Sequence, residues 1–143
     1  MSGSRILDPQ ELGAPRGYSN GVLAPAGARL LFVAGQVGWD GEQRIVSDDF
    51  VAQFDRALAN ALTVVAAAGG LPEHVVRMTI YVRDRDAYRA AAKPVGRAYR
   101  ERMGRHYPAM TLVEVSALLE DGARVEIELT AALPPEPVPE AGA

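Results

Sequence analysis

This chain lacks some of the residue types that commonly carry out chemistry, and the types that are absent or rare narrow the possible reactions. The 143 residues include no Cys, which excludes disulfides, thiolate nucleophiles and Cys-ligated metals. The two His, His74 and His106, lie far apart in sequence, and no HExxH-like spacing of metal ligands is present, so a zinc site is not expected. His74 begins a predicted strand and is expected at the surface. A carboxylate beside a pocket could still act as a general base toward water.

The stretch YPAMTLVEV, residues 107 to 115, contains a Pro-Ala pair and then an apolar, β-branched run. Met110 stands at the start of that run. A Met there can fill an irregular gap in the core, or it can form the apolar wall of a pocket, and both interpretations stay open. Arg102, Arg105 and His106 come just before the Pro-Ala pair. Cations at the end of a helix interact favourably with its dipole.

Composition and charge exclude several classes of function. The net charge of −3 and the pI of about 5.4 argue against nucleic-acid binding, because neutralising phosphates requires a concentrated basic surface. The N-terminal residues MSGSRILDPQ lack the apolar region of a signal peptide. No apolar stretch approaches the roughly 18 residues that span a bilayer. We therefore expect a cytoplasmic protein with no membrane or nucleic-acid partner.

The elements that must position these residues can be predicted from periodicity. A helix is predicted from an N-cap at Ser47 to the pair Gly69-Gly70, about six turns long. A second helix is predicted over residues 86–103, with a kink or break at Pro94. Asp121-Gly122 predicts a hairpin between the last two strands. The predicted strands cover residues 18–24, 29–37, 75–83, 110–118 and 124–133.

This order of elements predicts an α+β fold, a mixed sheet of about five to six strands with two helices on one face. In residues 124–133, Val125, Ile127 and Leu129 alternate with polar residues. The two faces of that strand should therefore differ, and the partly polar face is a candidate oligomer interface. We expect a loose N-terminal segment over residues 1–17, a single domain over 18–133, and an extended or disordered Pro-rich acidic tail over 134–143.

Several short motifs, in order, resemble the Rid family, the YjgF-type reactive-intermediate deaminases. They are LLFVAGQVG, the helix pattern Gln53, Ala57, Asn60, then VVRMTIYVRDRDAY, and finally YPAMTLVEVSALLEDGARVEIELTA. The resemblance runs from Tyr18 to about Leu133. It implies a chorismate-mutase-like fold and a homotrimer with a central barrel-like core, with small-molecule ligands bound in clefts between subunits. It also implies hydrolysis of enamines and imines such as 2-aminoacrylate, with no cofactor and no metal.

The resemblance also implies which residues form the site, and two of them depart from the family pattern. The family Arg that holds the substrate carboxylate is replaced here by Met110, and the family Ser of Ser-Gly-Gln by Ala34. A guanidinium forms paired charged hydrogen bonds with a carboxylate, and a thioether cannot. Glu126, thought to position or activate water, and Tyr18 remain as the expected catalytic residues. The expected substrate-binding residues are Met110, Ala34, Gly35, Trp39 and Thr111.

Three functions are compatible with this pattern. In the first, the chain forms a trimer whose cleft has diverged from carboxylate-bearing imines, so that imine deaminase activity is weak or absent. In the second, the chain is still a deaminase, and Arg102 or Arg105 rebuilds the anion site. In the third, it is a non-enzymatic metabolite-binding or regulatory protein. Each site residue also has a structural alternative: Tyr18 packed at the rim of a strand, Glu126 solvated or paired at an interface, and Trp39 packed in its loop.

Overall fold

The computed structural model describes residues 2–136 and confirms the α+β class and the mixed sheet. Short 3₁₀ helices cover Gln10–Leu12 and Pro72–His74. The strands are β1 (Arg5–Leu7), β2 (Gly21–Leu23), β3 (Arg29–Val37), β4 (Val75–Val82), β5 (Ala109–Glu114) and β6 (Val125–Leu133), and the α-helices are α1 (Phe50–Ala67), α2 (Arg85–Ala90) and α3 (Ala92–Met103).

Within residues 2–136 the strands form two sheets, a ribbon of β1 and β2 and a main sheet in the order β3-β6-β4-β5. β6 is antiparallel to both of its neighbours, whereas β4 and β5 are parallel. The hairpin predicted at Asp121-Gly122 is wrong. Parallel neighbours need a crossover, which α2 and α3 provide here. β5 therefore lies at the sheet edge, and β4 separates it from β6 in the sheet. A local turn remains at Gly122, with φ of 80°.

The N-terminal segment that was predicted to be loose contains a strand. β1 pairs antiparallel with β2, and its three residues are exposed. Ser19 then forms an isolated parallel bridge with Ala109 at the start of β5, which ties this segment to the main sheet. Of the predicted tail, residues 134–136 are exposed, and residues 137–143 lie outside the described part of the chain.

Helix α1 begins later than the N-cap predicted at Ser47. The side chain of Asp49 accepts a hydrogen bond from the Ala52 amide at 2.9 Å, and Ser47 Oγ accepts one from the Asp49 amide at 3.0 Å. Asp49 is therefore the N-cap, because its carboxylate reaches an amide that has no partner within the helix. The helix ends before Gly69, which has φ of 81°, and has about five turns rather than six.

The expected interruption of the second helix is present, but it lies before Pro94. α2 ends at Ala90 and α3 begins at Ala92, so Pro94 is the third residue of α3. A Pro cannot donate to the carbonyl four residues earlier, which is Ala90, and its ring crowds that carbonyl. In the first turn of a helix the missing N–H costs little. The chain therefore breaks one turn earlier and restarts with Pro94 near the new N-terminus.

The core lies between the sheet and the helices α1 and α3. Val125, Ile127 and Leu129 are buried, and the residues between them are partly exposed on the other face, which confirms the predicted alternation. We call the sheet face opposite the helices the open face. The prediction for His74 is wrong: it is buried, and its Nδ1 accepts a hydrogen bond from the Leu71 amide at 2.8 Å. Over residues 2–136, helices long and apolar enough to span a bilayer are absent.

Candidate functional site

Met110 lines a cavity on the helix side of the sheet. It is the second residue of β5 and pairs with Met78 of β4, which is fully buried in the core. Successive residues of a strand face opposite sides, so the Met110 side chain points toward α3. The cavity there has a volume of about 130 Å³. The residues that line it include Tyr88, Tyr99, Tyr107 and Arg100, which carry polar groups, and also Gly17.

Two of these tyrosines are held in fixed positions. The Tyr99 hydroxyl donates to the His106 carbonyl at 2.6 Å, and its ring stacks on Tyr107 with centroids 5.2 Å apart. Burial raises the pKa of Tyr99, and the neighbouring Tyr107 adds to the effect. His106 Nε2 lies 2.6 Å from the Val75 carbonyl oxygen. Tyr99 and His106 are therefore committed to contacts within the chain.

The structure places Tyr18 beside this cavity. The Ser19 amide donates to the Pro108 carbonyl at 3.0 Å, and Ser19 Oγ donates to the Tyr107 carbonyl at 2.5 Å. These bonds hold the loop against the start of β5. Gly17 on one side of Tyr18 lines the cavity, and Tyr18 itself is 40% exposed. Tyr18 therefore follows a residue of the cavity wall in the chain, but it is not itself among the residues that line the cavity.

Glu126 and Gly35 form a second group, at the start of β6, and Ala34 precedes Gly35 on β3. Glu126 is partly buried on the open face. A Cβ at Gly35 would lie 2.8 Å from the Glu126 Cδ, so the carboxyl group rests directly on the backbone of β3 where that strand has no side chain. Burial raises the pKa of Glu126, and the charges of Glu128 and Glu120 raise it further. A carboxylate in such a position is a better base than a fully solvated one.

A single chain does not bring these two groups together. Met110 pairs with Met78, and Glu126 pairs with Tyr81, which is three residues further along β4. From strand geometry the two backbones are roughly 14 Å apart. Because Met78 and Tyr81 are an odd number of residues apart, Met110 and Glu126 also lie on opposite faces of the sheet. The predicted site residues therefore form two half-sites, one around Met110 and one around Glu126.

The remaining predicted site residues lie elsewhere. Thr111 is on the open face, where its Oγ1 accepts a hydrogen bond from Arg77 Nη2 at 3.2 Å. Trp39 lies over α1, and its backbone carbonyl accepts a hydrogen bond from Asn60 Nδ2 at 2.9 Å. Trp39 lines a surface groove with Arg56 and Asn60. Neither Thr111 nor Trp39 lines the Met110 cavity.

The cations considered from the sequence are not those at the cavity. Arg102 donates from Nε and Nη2 to the two carboxylate oxygens of Asp55 on α1, at 2.7 and 2.9 Å. Arg105 is exposed and is not part of the cavity wall. The guanidinium that does line the cavity belongs to Arg100. The signal in the sequence is Gly96, one turn before Arg100, because a helical glycine leaves room for a side chain to fold back.

Comparisons with known proteins agree with this architecture. The family model described as "Endoribonuclease L-PSP" matches residues 9–133. The protein DfrA of Myxococcus xanthus is 36% identical over 115 residues, which are 80% of this chain and 83% of that protein. The 2-iminobutanoate/2-iminopropanoate deaminase of Salmonella typhimurium is 29% identical over 102 residues, or 71% of this chain and 78% of that protein. A crystal structure of the Rid-family protein YyfB from Yersinia pestis, of unknown function, superposes with a TM-score of 0.81 at 30% identity and covers 92% of this chain and 99% of its own.

Proposed function

The chain belongs to the endoribonuclease L-PSP family, also known as the Rid or YjgF family, and on that premise we propose that it is a homotrimeric small-molecule-binding protein of the cytoplasm. We propose that its clefts form between subunits. We also propose that its activity as a 2-aminoacrylate or imine deaminase is weak or absent.

The observation that carries this proposal is the apolar side chain of Met110 in the wall of the cavity. The family resemblance implies that an Arg at this position holds the substrate carboxylate. Removing one partner of a buried charge pair costs several kcal/mol, because the other charge is left without compensation. A loss of that size in the transition state lowers a rate by orders of magnitude. The replacement of the family Ser by Ala34 removes a hydroxyl as well.

The proposal of a trimer is supported by two features of the open face. Its large apolar side chains are uncovered: Phe32 is 73% exposed and Leu30 is 58% exposed. Exposed apolar groups on one face of a sheet are typical of a contact surface. The two half-sites on one chain also call for a neighbouring subunit, because Met110 of one chain would need Glu126 of another to complete a cleft.

A second candidate function is hydrolysis of an enamine or imine that depends less on a carboxylate contact. The raised pKa of Glu126 favours it, since a partly desolvated carboxylate can take a proton from water. The Salmonella relative, named as a deaminase of 2-iminobutanoate and 2-iminopropanoate, gives the reaction type. In this case Tyr18 would contact the substrate and Glu126 would activate the water.

The test is an imine hydrolysis assay on wild type and Met110→Arg. An amino-acid oxidase generates 2-iminopropanoate, and semicarbazide traps what is not hydrolysed. We expect an inert wild type and activity in Met110→Arg, because the variant regains a carboxylate-binding fork. The matched control adds Glu126→Gln to Met110→Arg and should remove the gained activity. Wild-type activity equal to that of an active family member would refute the proposal, and a solution mass near the 15.3 kDa of one chain would refute the trimer.

A further inference from the structure

We propose that the groove beside Trp39 is the docking site of this chain's own C-terminal segment, residues 137–143. We call this surface the Trp39 groove. It lies between α1 and the end of β3, and its walls include Gln36, Trp39, Arg56, Asn60, Thr63 and Val64. Its volume of about 450 Å³ is in the range of ligand sites, about 300–1,000 Å³. The family model ends at residue 133, so the segment lies outside the part of the chain that the family model matches.

Arg29 holds the beginning of the tail beside the start of β3. Arg29 Nε donates to the Pro134 carbonyl at 3.0 Å, and Arg29 Nη1 lies 3.4 Å from Glu136 Oε1. Side chains two residues apart on a strand share a face, and Leu31 packs against the core under the helices. Arg29 therefore points to the helix side of the sheet. It brings Glu136 to the same side as the Trp39 groove.

Helix α1 runs back along β3 toward the point where the tail begins. A Cβ added at Gly38, just after β3, would lie 2.7 Å from the Cα of Gln53 at the start of α1. A Cβ added at Gly70, just after α1, would lie 3.3 Å from Leu133 Cδ2. The last turns of α1 are therefore close to the end of β6, which the tail follows.

The length of the groove matches the reach of the tail. Val64 lies at the groove end nearer the tail, and Arg56 is eight residues earlier on α1, which corresponds to about 12 Å along the helix axis. The four residues from Glu136 to Glu140 also span about 12 Å when they adopt the polyproline II conformation. A segment that follows α1 from the position of Glu136 would therefore bring Glu140 to Arg56.

Arg56 differs from the other arginines in its burial and in its fixed position. It is half-buried, whereas every other Arg of residues 2–136 is exposed. Arg56 Nε donates to Asn60 Oδ1 at 3.2 Å. Asn60 is held in turn, because its Nδ2 donates to the carbonyls of Val37 at 3.0 Å and Trp39 at 2.9 Å. The guanidinium is thus fixed at the groove through Nε, and its two terminal nitrogens remain for an acidic partner.

The charge of the tail is complementary to this cation. Residues 134–143 read PPEPVPEAGA, with two Glu and neither Arg nor Lys. A guanidinium binds a carboxylate through paired charged hydrogen bonds, so Arg56 would pair with Glu140. The acidic residue of the groove wall, Asp40, already has partners: its Oδ1 accepts hydrogen bonds from the amides of Glu42 at 2.9 Å and Arg44 at 3.1 Å.

Trp39 provides the surface that a Pro-rich segment needs. Such segments favour the polyproline II conformation and dock in grooves lined by aromatic side chains. Trp39 is half-buried, and over residues 2–136 its Nε1 donates no hydrogen bond. Its ring can pack on Pro137 or Pro139, and its N–H can donate to a carbonyl of the segment.

The docked segment would adjoin the candidate site. Gln36 lines the Trp39 groove, and the preceding residue, Gly35, lies under the Glu126 carboxyl group. Residues outside the family match would in this way contact the end of the strand on which the Glu126 half-site rests.

The experiment traps the segment in the full-length protein with a disulfide. The chain has no Cys, so Thr63→Cys with Val138→Cys introduces two thiols and no others. Equilibration with reduced and oxidised glutathione gives the effective concentration of one thiol at the other. We expect a disulfide within one chain, seen as a monomer of altered mobility on a non-reducing gel. Its effective concentration should be about tenfold or more above that of the control pair Leu71→Cys and Val138→Cys.

The control pair separates docking from mere proximity. Leu71 is exposed and follows Gly70 beside Leu133, so it lies near the start of the tail but outside the groove wall. A segment without a docking site would reach Leu71 as readily as Thr63. Adding Arg56→Gln to the Thr63 pair should lower the effective concentration about fivefold, as expected for a partly exposed ion pair. Arg97→Gln, on the exposed side of α3, should leave it unchanged.

Three results would overturn the proposal. Equal effective concentrations for the Thr63 and Leu71 pairs would exclude docking in the groove. Disulfides between chains would show that another copy supplies the segment. An equal effect of Arg56→Gln and Arg97→Gln would exclude the pairing with Glu140. Acrylamide quenching of the single Trp is a check without new thiols: Glu140→Gln should increase the quenching, and unchanged quenching would also overturn the proposal.

Discussion

Replacing Gln53 by Glu changes the side-chain amide to a carboxyl group, and this is expected to make the stability of the protein strongly dependent on pH. Gln53 is fully buried in the first turn of α1. Its Nε2 donates to the carbonyls of Ser47 at 2.8 Å and Gly122 at 3.0 Å, and its Oε1 accepts from the Arg124 amide at 2.8 Å. The residue thus joins α1 to the start of β6, two residues before Glu126.

The magnitude follows from these three bonds. An ionised carboxylate in place of the Gln53 amide would keep the bond from Arg124 but would face two carbonyl oxygens without a donor, and each such unsatisfied group costs about 1–3 kcal/mol. Burying the charge adds to this cost, so the loss of unfolding free energy at neutral pH is about 4 kcal/mol or more. A protonated carboxyl can still donate one bond, which leaves a loss of about 1–3 kcal/mol in acid.

The sign of the pH dependence is fixed by burial. The folded-state pKa of the introduced carboxyl group is raised above its unfolded value, so the extra penalty is absent below an unfolded pKa of about 4.3. Above that value it grows by about 1.4 kcal/mol per pH unit until the folded pKa is reached. Urea unfolding at fixed protein concentration, followed by the fluorescence of the single Trp, measures this directly. The control is Gln10→Glu at an exposed position. An equal loss of stability in Gln53→Glu at acidic and neutral pH would refute the reasoning.

Two further substitutions test the half-site around Glu126 and the contact between the helices. Gly35→Ala is expected to displace the Glu126 carboxyl group, because the new Cβ would lie 2.8 Å from the Glu126 Cδ. A crystal structure of the variant should show the moved side chain. The control is Gly41→Ala, where the added Cβ meets nothing within 4 Å and the Glu126 side chain should stay in place. Unchanged coordinates of Glu126 in Gly35→Ala would contradict the close contact. Asp55→Asn is expected to lower stability by less than about 1 kcal/mol, since the pair with Arg102 is more than a third exposed. The hydrogen bond from Arg102 lowers the pKa of Asp55. The difference in unfolding free energy between Asp55→Asn and wild type should therefore be present at neutral pH and vanish as the pH falls below the ordinary pKa of 3.8. A stability difference that persists in acid would show that the ion pair is not its cause.

The elements with strong periodicity were predictable from the sequence, and the contacts between them were less so. The alternation in β6 and the apolar stripe of α1 arise because one side of each element is buried. Such a pattern is visible within a single segment of the sequence. The hairpin prediction failed because Asp121-Gly122 indicates only a local turn. A turn does not decide which strands pair, and β6 pairs with β3 and β4 instead of β5. His74 was missed because its burial depends on an amide in the preceding turn.

The candidate site was likewise predictable only in part. The motif order placed Met110 at a pocket, and the structure shows it in a cavity wall. The sequence directed attention to Arg102 and Arg105 because they lie near the Pro-Ala pair. Asp55, 47 residues away in the chain, binds Arg102, while the cation that lines the cavity is Arg100, one turn after Gly96. Both facts depend on distances between elements that spacing along the chain does not encode.

The strand order β3-β6-β4-β5 has a consequence for how the chain is made. β6 is the last strand of the described chain, yet it lies between β3 and β4, which are joined only through it. During synthesis, β3 and β4 leave the ribosome with their inner edges unpaired, and they cannot be joined until residues 125–133 have followed. Nascent chains with open strand edges are prone to aggregate, and pairing between residues distant in sequence is slow. Stalled synthesis before Val125 should therefore yield a chain that needs a chaperone, whereas release after Leu133 allows the sheet to close in one step.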